Sequence, residues 1–171
     1  GKVVARSADW RTGDALFLHD VHVVPNSVRA QTFAGIALIH RCDSALTPAE
    51  KRTHASAAIT HLKKAETLHP TYLPTLLNMG LAYYRLDSMA LAESCWDRVR
   101  TLAPKDPKLL QLEAFLFDRY YRSGVAAGTA RDYPKAIADM EHALKYGPTN
   151  ANAWYDLGGI RYTAGDHAEA R

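Results

Sequence analysis

The 171-residue sequence predicts an all-α fold of repeated antiparallel helix pairs, and three observations predict it. Pro25, Pro70, Pro104 and Pro148 each close one amphipathic stretch and precede the next, at spacings of 45, 34 and 44 residues. The same small and large residue types recur at the same offsets before these prolines: Ala58, Leu62, Ala65, then Ala92, Trp96, Val99, then Ala136, Met140, Ala143. Composition, at 47% hydrophobic and 23% charged, is that of a chain with a core. It excludes intrinsic disorder, a collagen-like chain and a disulfide scaffold. The longest apolar run, about seven residues from Phe33 to Ile39, is far short of a bilayer span. No signal peptide opens the chain, so any targeting segment is expected outside it.

Taken in order, the elements begin with one helix before Pro25, capped by Asp9, with Trp10, Phe17 and Val21 or Val24 as its apolar stripe. Residues 28–70 form a helix pair with an insertion within Arg41 to His54. Thr47-Pro48-Ala49-Glu50 supplies an N-cap, a proline at the first helical position and a capping-box glutamate, so the second helix starts near Pro48 and runs to Leu68. Residues 73–104 form a regular pair. Residues 107–148 form a pair whose register places Leu110, Ala114 and Phe117 in the positions held by Leu76, Gly80 and Tyr83. Its insertion falls within Ser123 to Asp132, where the glycine-rich run Gly124 to Thr129 is expected to be a mobile loop between the helices. Residues 151–171 hold a helix from Asn150 to Ala164 and the start of a second at Asp166.

The regular pair has Leu76, Met79-Gly80, Tyr83, Ala92, Trp96, Val99 and Pro104 at positions 4, 7, 8, 11, 20, 24, 27 and 32 from Leu73. This resembles the tetratricopeptide signature W-x2-LG-x2-Y, A-x3-F-x2-A, P. The last segment resembles its first half in Trp154, Leu157-Gly158 and Ala164-Gly165-Asp166. The small residues at positions 8 and 20 let two helices cross closely, and large ones at 4, 11 and 24 fill the space around the crossing. In the first full repeat Gly35 holds position 8, but Gln31 departs from the aromatic type at position 4. The resemblance implies a right-handed superhelix of about eight helices: a half repeat at 9–25, repeats at 28–70, 73–104 and 107–148, and a truncated repeat at 151–171. Both insertions are expected at turns on one edge of that solenoid. Tolerance of long turns explains them more simply than a binding edge does. Neither end carries a polar capping helix, so the chain is expected to be part of a longer array, or to dimerise through its uncapped terminal helix.

A second resemblance lies at the start. Ala8-Asp9-Trp10-Arg11, Leu16-Phe17, Pro25-Asn26-Ser27 and Arg29-Ala30 are similar to the membrane-proximal segment of multi-span membrane proteins with carboxy-terminal tetratricopeptide repeats, some of them protein O-mannosyltransferases. It implies an alternative: an extracytoplasmic repeat domain of a membrane-anchored, glycosyltransferase-like parent, positioning acceptor polypeptide.

Catalytic chemistry is not written in these residues. There is no P-loop, GxGxxG, GxSxG or HExxH motif. His19 with His22, and His54 with His61, share helix faces without a third ligand, so solvated surface histidine is expected and no metal or cofactor. Acidic residues such as Asp87, Glu93, Asp97, Glu113 and Asp118 are scattered over different helices, and nothing pairs two of them as acid and base. Cys42 and Cys95, 53 residues apart, are expected to be buried and inert. One tyrosine of each pair, Tyr83-Tyr84 and Tyr120-Tyr121, is expected in the core. A net charge of +3 with dispersed Lys and Arg does not make a phosphate-binding stripe, which argues against nucleic acid. Neither charge nor cysteine usage decides the compartment.

The tetratricopeptide resemblance implies instead a protein or peptide partner, held in a concave groove lined by the first helix of each repeat. Groove positions fall on Arg29, Asn78, Tyr84, Arg85, Lys108, Gln111, Asn152 and Tyr155, with Leu77, Leu81, Phe115 and Tyr162 beside them. This mixture of aromatic, amide and basic side chains suits an extended peptide. It does not suit the carboxylate clamp that some members use for chaperone tails. Asn78 and Lys108 match that clamp, but Thr32, Ile36 and Leu112 do not. The function so implied is a non-catalytic interaction scaffold.

Overall fold

The computed structural model describes residues 13–169, and side chains as far as residue 165. Among the described residues there are eight helices and no strand: α1 Gly13–Val23, α2 Val28–Ser44, α3 Pro48–Leu68, α4 Leu73–Arg85, α5 Met89–Leu102, α6 Pro107–Thr129, α7 Tyr133–Tyr146 and α8 Ala151–Glu169. The chain divides into two compact units, Gly1–Asp106 and Pro107–Arg171.

In the first unit, α1 lies on α2 through a stacked pair, Phe17 on Phe33, with ring centroids 4.8 Å apart. Of the expected stripe, Val21 is buried and Val24 exposed, while Trp10 and Asp9 lie outside the described residues. Ser27 caps α2 by accepting from the Ala30 amide at 3.2 Å. The capping box at α3 is present: the Glu50 amide donates to Thr47 Oγ1 at 3.2 Å, and the Thr47 amide to Glu50 Oε2 at 3.1 Å. Two donors of the helix start thus have acceptors. The bonds to Thr47 hold the Glu50 carboxyl below its ordinary pKa. The insertion in this repeat lengthens both helices, since α2 runs to Ser44 and α3 begins after a connection of only three residues, at Pro48.

Helix pairs close on glycine. A Cβ on Gly35 would lie 2.5 Å from Leu62 Cγ, and one on Gly80 would overlap the Trp96 indole nitrogen. That nitrogen donates to the Leu77 carbonyl at 3.2 Å, so the buried ring leaves no unsatisfied donor. Thr32 and Thr75, both buried, join α2 to α4 at 2.7 Å. Thr32 gives its hydroxyl hydrogen to the Val28 carbonyl, so Thr75 is the donor between them.

In the second unit the structure corrects two expectations. The run Gly124 to Thr129 is not a loop: it is the last turn and a half of α6. Nor does Ala114 hold the crossing position. Leu110 is exposed and Ala114 lies on the α6 surface. The residue that meets Met140 is Gly124, whose added Cβ would stand 3.0 Å from Met140 Cγ. The main features of the α4–α5 pair therefore recur 44 residues later: Gly80 at Gly124, Ala92 at Ala136, Trp96 at Met140, Pro104 at Pro148. The turns agree as well. Asp87 (φ 55°) and Arg131 (φ 62°) are both left-handed. Ser88 N bonds Tyr83 O at 3.0 Å, and Asp132 N bonds Ala127 O at 2.9 Å. These are the same Schellman closure. The ten additional residues lie at the amino end of α6, Pro107 to Leu116, not between its two helices. Gly124 serves close helix approach, and alanines at 126 and 127 favour helix, so the glycine there marks packing and not a loop.

The core of this unit is Met140, Leu144, Ala153 and Leu157, flanked by Phe117, Tyr121, Ile137 and Ile160. α8 also departs from expectation. It is one helix through Gly165 instead of ending at Ala164. The earlier glycines close over a packed second helix, whereas among the described residues nothing lies within 4 Å of a Cβ built on Gly158 or Gly159.

Candidate functional site

The expected groove residues fall in both units. In the first unit Arg85 is engaged. Its Nε and Nη2 donate to the two carboxylate oxygens of Asp43 at 2.5 and 3.2 Å, a bidentate pair from α4 to the end of α2. The bond to Asp43 also raises the Arg85 pKa further. The same guanidinium stands 5.4 Å from the Tyr84 ring centroid. Arg29 covers Phe33 at the same distance, and Asn78 donates to the Pro74 carbonyl at 2.7 Å.

In the second unit Lys108 and Gln111 are exposed on the first turns of α6, in the ten-residue extension, and Asn152 is exposed on the first turn of α8. None of the three lines the groove that the structure forms between α6 and α8. That groove has a volume of about 790 Å³. Of the eight expected positions only Tyr155 lines it, with Tyr162 beside it. Both rings are open, 82% and 75% exposed. Its lining includes Val125, Gly128, Met140, Gly159 and Ile160. Its charged lining residues are Arg131 and Asp156. Tyr121 OH donates to Asp156 Oδ2 at 2.6 Å, which raises the tyrosine pKa. The repeat of Gly80 at Gly124, 44 residues on, is the signal that moves the groove positions of α6 to Val125, Gly128 and Thr129.

Other chemistry-bearing groups have structural partners. Gln31 is 3% exposed despite its polar side chain: Nε2 donates to the Pro25 carbonyl at 2.7 Å, and Oε1 faces His61 Nδ1 at 2.8 Å. Because the amide nitrogen is committed to Pro25, His61 must be the donor to Oε1. His61 is therefore not the solvated surface histidine the sequence suggests. Burial lowers its pKa, with His22 and then Lys64 adding to the effect. Neither Tyr120 nor Tyr121 is fully buried. Tyr120 stacks on His142 at 4.3 Å, and Tyr121 packs on the core edge. Tyr83 and Tyr84 are likewise half-buried. Cys42 and Cys95 are buried free thiols. Burial pushes both up, Cys95 to about 11, which makes them poor nucleophiles at neutral pH. Among the described residues, no group of three or more His, Cys, Asp or Glu could hold a metal ion, and no helix is long and apolar enough to cross a membrane.

The helix pairs, their glycine crossings and their common turn define a helix-hairpin repeat protein. Residues 121–171 match the family model described as "Tetratricopeptide repeat". The match covers the α6–α7 pair from Tyr121 and all of α8. Similar solved structures include TTC0263, a thermophilic TPR protein of Thermus thermophilus (18% identity over 83% of this chain and 68% of that one, TM-score 0.49). The MamA protein is similar at 20% identity over 96% and 82% of the two chains, TM-score 0.48. The first TPR domain of human RPAP3 is similar at 21% identity over 82% and 99%, TM-score 0.34. No curated protein sequence matches the chain. Of the second, membrane-protein resemblance, residues 8–11 lie outside the described residues. Phe17 and Ser27 have the packing and capping roles given above.

Proposed function

We propose that the chain is a non-catalytic protein-interaction scaffold that holds a peptide, or a segment of a partner protein, in the groove between α6 and α8. The observation that carries this reading is the pair of open tyrosine rings over a groove of about 790 Å³. Aromatic side chains at such density are costly to leave in water and are the residues that dominate binding energy when a partner covers them. The groove volume lies in the range that accepts a short ligand.

The test is selection from a displayed random-peptide library on the purified chain, followed by calorimetry of the selected peptides. Tyr155→Ala with Tyr162→Ala is expected to weaken binding about 100-fold, two aromatic anchors at about tenfold each. Selected peptides that bind the double variant as tightly as the parent would remove the groove assignment. Homodimerisation through the open face of α8 is the assembly version of the same reading, and it predicts a solution mass near twice 18.9 kDa. The alternative, a repeat domain positioning acceptor polypeptide for a membrane glycosyltransferase-like parent, is supported by the short amino-terminal resemblance and predicts that the native polypeptide partitions with membranes.

A further inference from the structure

Resting on the assembly form of the reading above, we infer that the open face of α8 is the seat of a second copy of this chain. The two α8 helices pair antiparallel about a two-fold axis, and Trp154 of each copy covers Gly158 of the other.

The contact already exists inside the chain. Each earlier crossing glycine has a large side chain against it: Leu62 against Gly35, Trp96 against Gly80 and Met140 against Gly124. Gly158 continues the series 34 residues after Gly124, and among the described residues nothing lies within 4 Å of a Cβ built there. Trp154 has the opposite deficiency. Trp96 is 2% exposed, whereas Trp154 is 54% exposed. Its Nε1 donates to the Pro148 carbonyl at 2.9 Å. The ring is therefore held in place with its donor satisfied, so covering it costs little ordering and strands no polar group. One helix thus carries both halves of the contact that Trp96 and Gly80 make.

Register decides how two copies meet. Trp154 and Gly158 are four residues apart on one face of α8, about 6 Å along its axis. A two-fold interface is self-complementary: if i meets j, then j meets i. An antiparallel pair with its axis midway between the two residues sets each Trp154 opposite the partner's Gly158. A parallel pair sets tryptophan on tryptophan and leaves both glycines unfilled.

The surroundings of Gly158 suit an indole. Trp154 and Arg161 stand one turn to either side of it, and both line a pocket between α7 and α8. Leu144 and Leu157 supply apolar lining, and Lys145 and Arg161 supply two cations that attract a ring face. The available area is also of the right order. Trp154, Tyr155 and Tyr162 are 54%, 82% and 75% exposed, which leaves roughly 300–500 Å² of aromatic surface on each copy. Two copies supply about half or more of the ~1,200 Å² at which specific interfaces begin, before the rest of each helix is counted.

The test is sedimentation equilibrium of the full chain from about 1 μM to about 1 mM. The mass is expected to rise with concentration from 18.9 kDa towards twice that value. Trp154→Ala removes both symmetric contacts at once, so it is expected to weaken the dimer about 100-fold, about tenfold for each. Gly158→Leu blocks the seat and is expected to weaken it similarly. No described residue packs on Gly158, so this variant keeps the fold, which circular dichroism checks. The decisive arm mixes the two variants. The Trp154→Ala chain keeps its glycine for the other chain's tryptophan, and the introduced leucine faces the introduced alanine, so the mixture is expected to dimerise where neither variant does alone. A dimer that ignores both substitutions overturns the inference, as does a mixture that stays monomeric. If the parent chain is monomeric throughout while library peptides bind through Tyr155 and Tyr162, the inference falls and the scaffold reading stands. If neither a dimer nor a ligand is found, both fall.

Discussion

The backbone of Gly80 lies against the indole of Trp96 so closely that a methyl group on the glycine would overlap the ring nitrogen. Gly35 stands in the same relation to Leu62, and a Cβ on Gly124 would make a tight contact with Met140 Cγ at 3.0 Å. Gly158 occupies the next position in the series, 34 residues after Gly124, and among the described residues its Cβ would meet nothing within 4 Å. Substitution at these glycines should therefore divide by what lies opposite. Gly80→Ala is expected to cost about 1–3 kcal/mol by overpacking against a rigid ring. Gly124→Ala should cost less, because the Met140 side chain is flexible. Gly158→Ala should stabilise by about 0.5–1 kcal/mol, since helix propensity acts unopposed. Urea denaturation of the three variants checks the order; equal losses at all three would show that the crossings do not set the cost.

The two left-handed turn residues supply a second prediction. Asp87 and Arg131 each occupy a conformation that costs an L-residue about 1–2 kcal/mol and costs glycine little. Arg131→Gly and Asp87→Gly are each expected to raise stability by about 0.5–1 kcal/mol, after the greater entropy of unfolded glycine is counted. Thermal unfolding should show both midpoints rising. A fall at either position would mean that the side chain contributes more than the strain it brings.

Acid should loosen the contact of α3 with the α1–α2 connection. Burial, His22 and Lys64 hold the His61 pKa below its ordinary 6.5, so the folded state binds fewer protons there than the unfolded state. The contribution is present in full above 6.5 and is lost as pH falls from that value through the lower folded pKa. His22 on α1 and Lys64 on α3 are the titratable groups that act on this ring, and the uncharged Gln31 on α2 is bonded to it. His61→Gln removes the titrating group, and it should flatten the pH dependence of unfolding between neutral and mildly acidic pH. An unchanged slope would assign the dependence to other residues.

The Arg85–Asp43 pair is partly exposed, with side chains 30% and 44% accessible. Its coupling energy in a double-mutant cycle is expected at about 0.5–1 kcal/mol, the upper range for a bidentate pair in contact with water. Salt should reduce it. Arg85→Glu would place two carboxylates together, so its effect on any ligand must be compared with that of Asp43→Asn, which removes the charge partner and keeps the arginine.

Helix pairing, the proline period, the capping box at Thr47 and the small-residue crossings at Gly35 and Gly80 were legible from the sequence. Each is a local or periodic consequence of side-chain size and capping chemistry. The register of α6 was not. Counting 34 residues on from Gly80 leads to Ala114, and only the packing of Gly124 on Met140 shows that the crossing comes ten residues later. Glycine carries the same letter in a loop and at a close helix contact, and only the opposing side chain distinguishes them. The same holds for the groove. Tyrosine and arginine at surface-facing positions could be named from their spacing. Whether Arg85 is held by Asp43, or Tyr155 and Tyr162 stand open together, depends on which helix lies alongside, and that is decided in three dimensions.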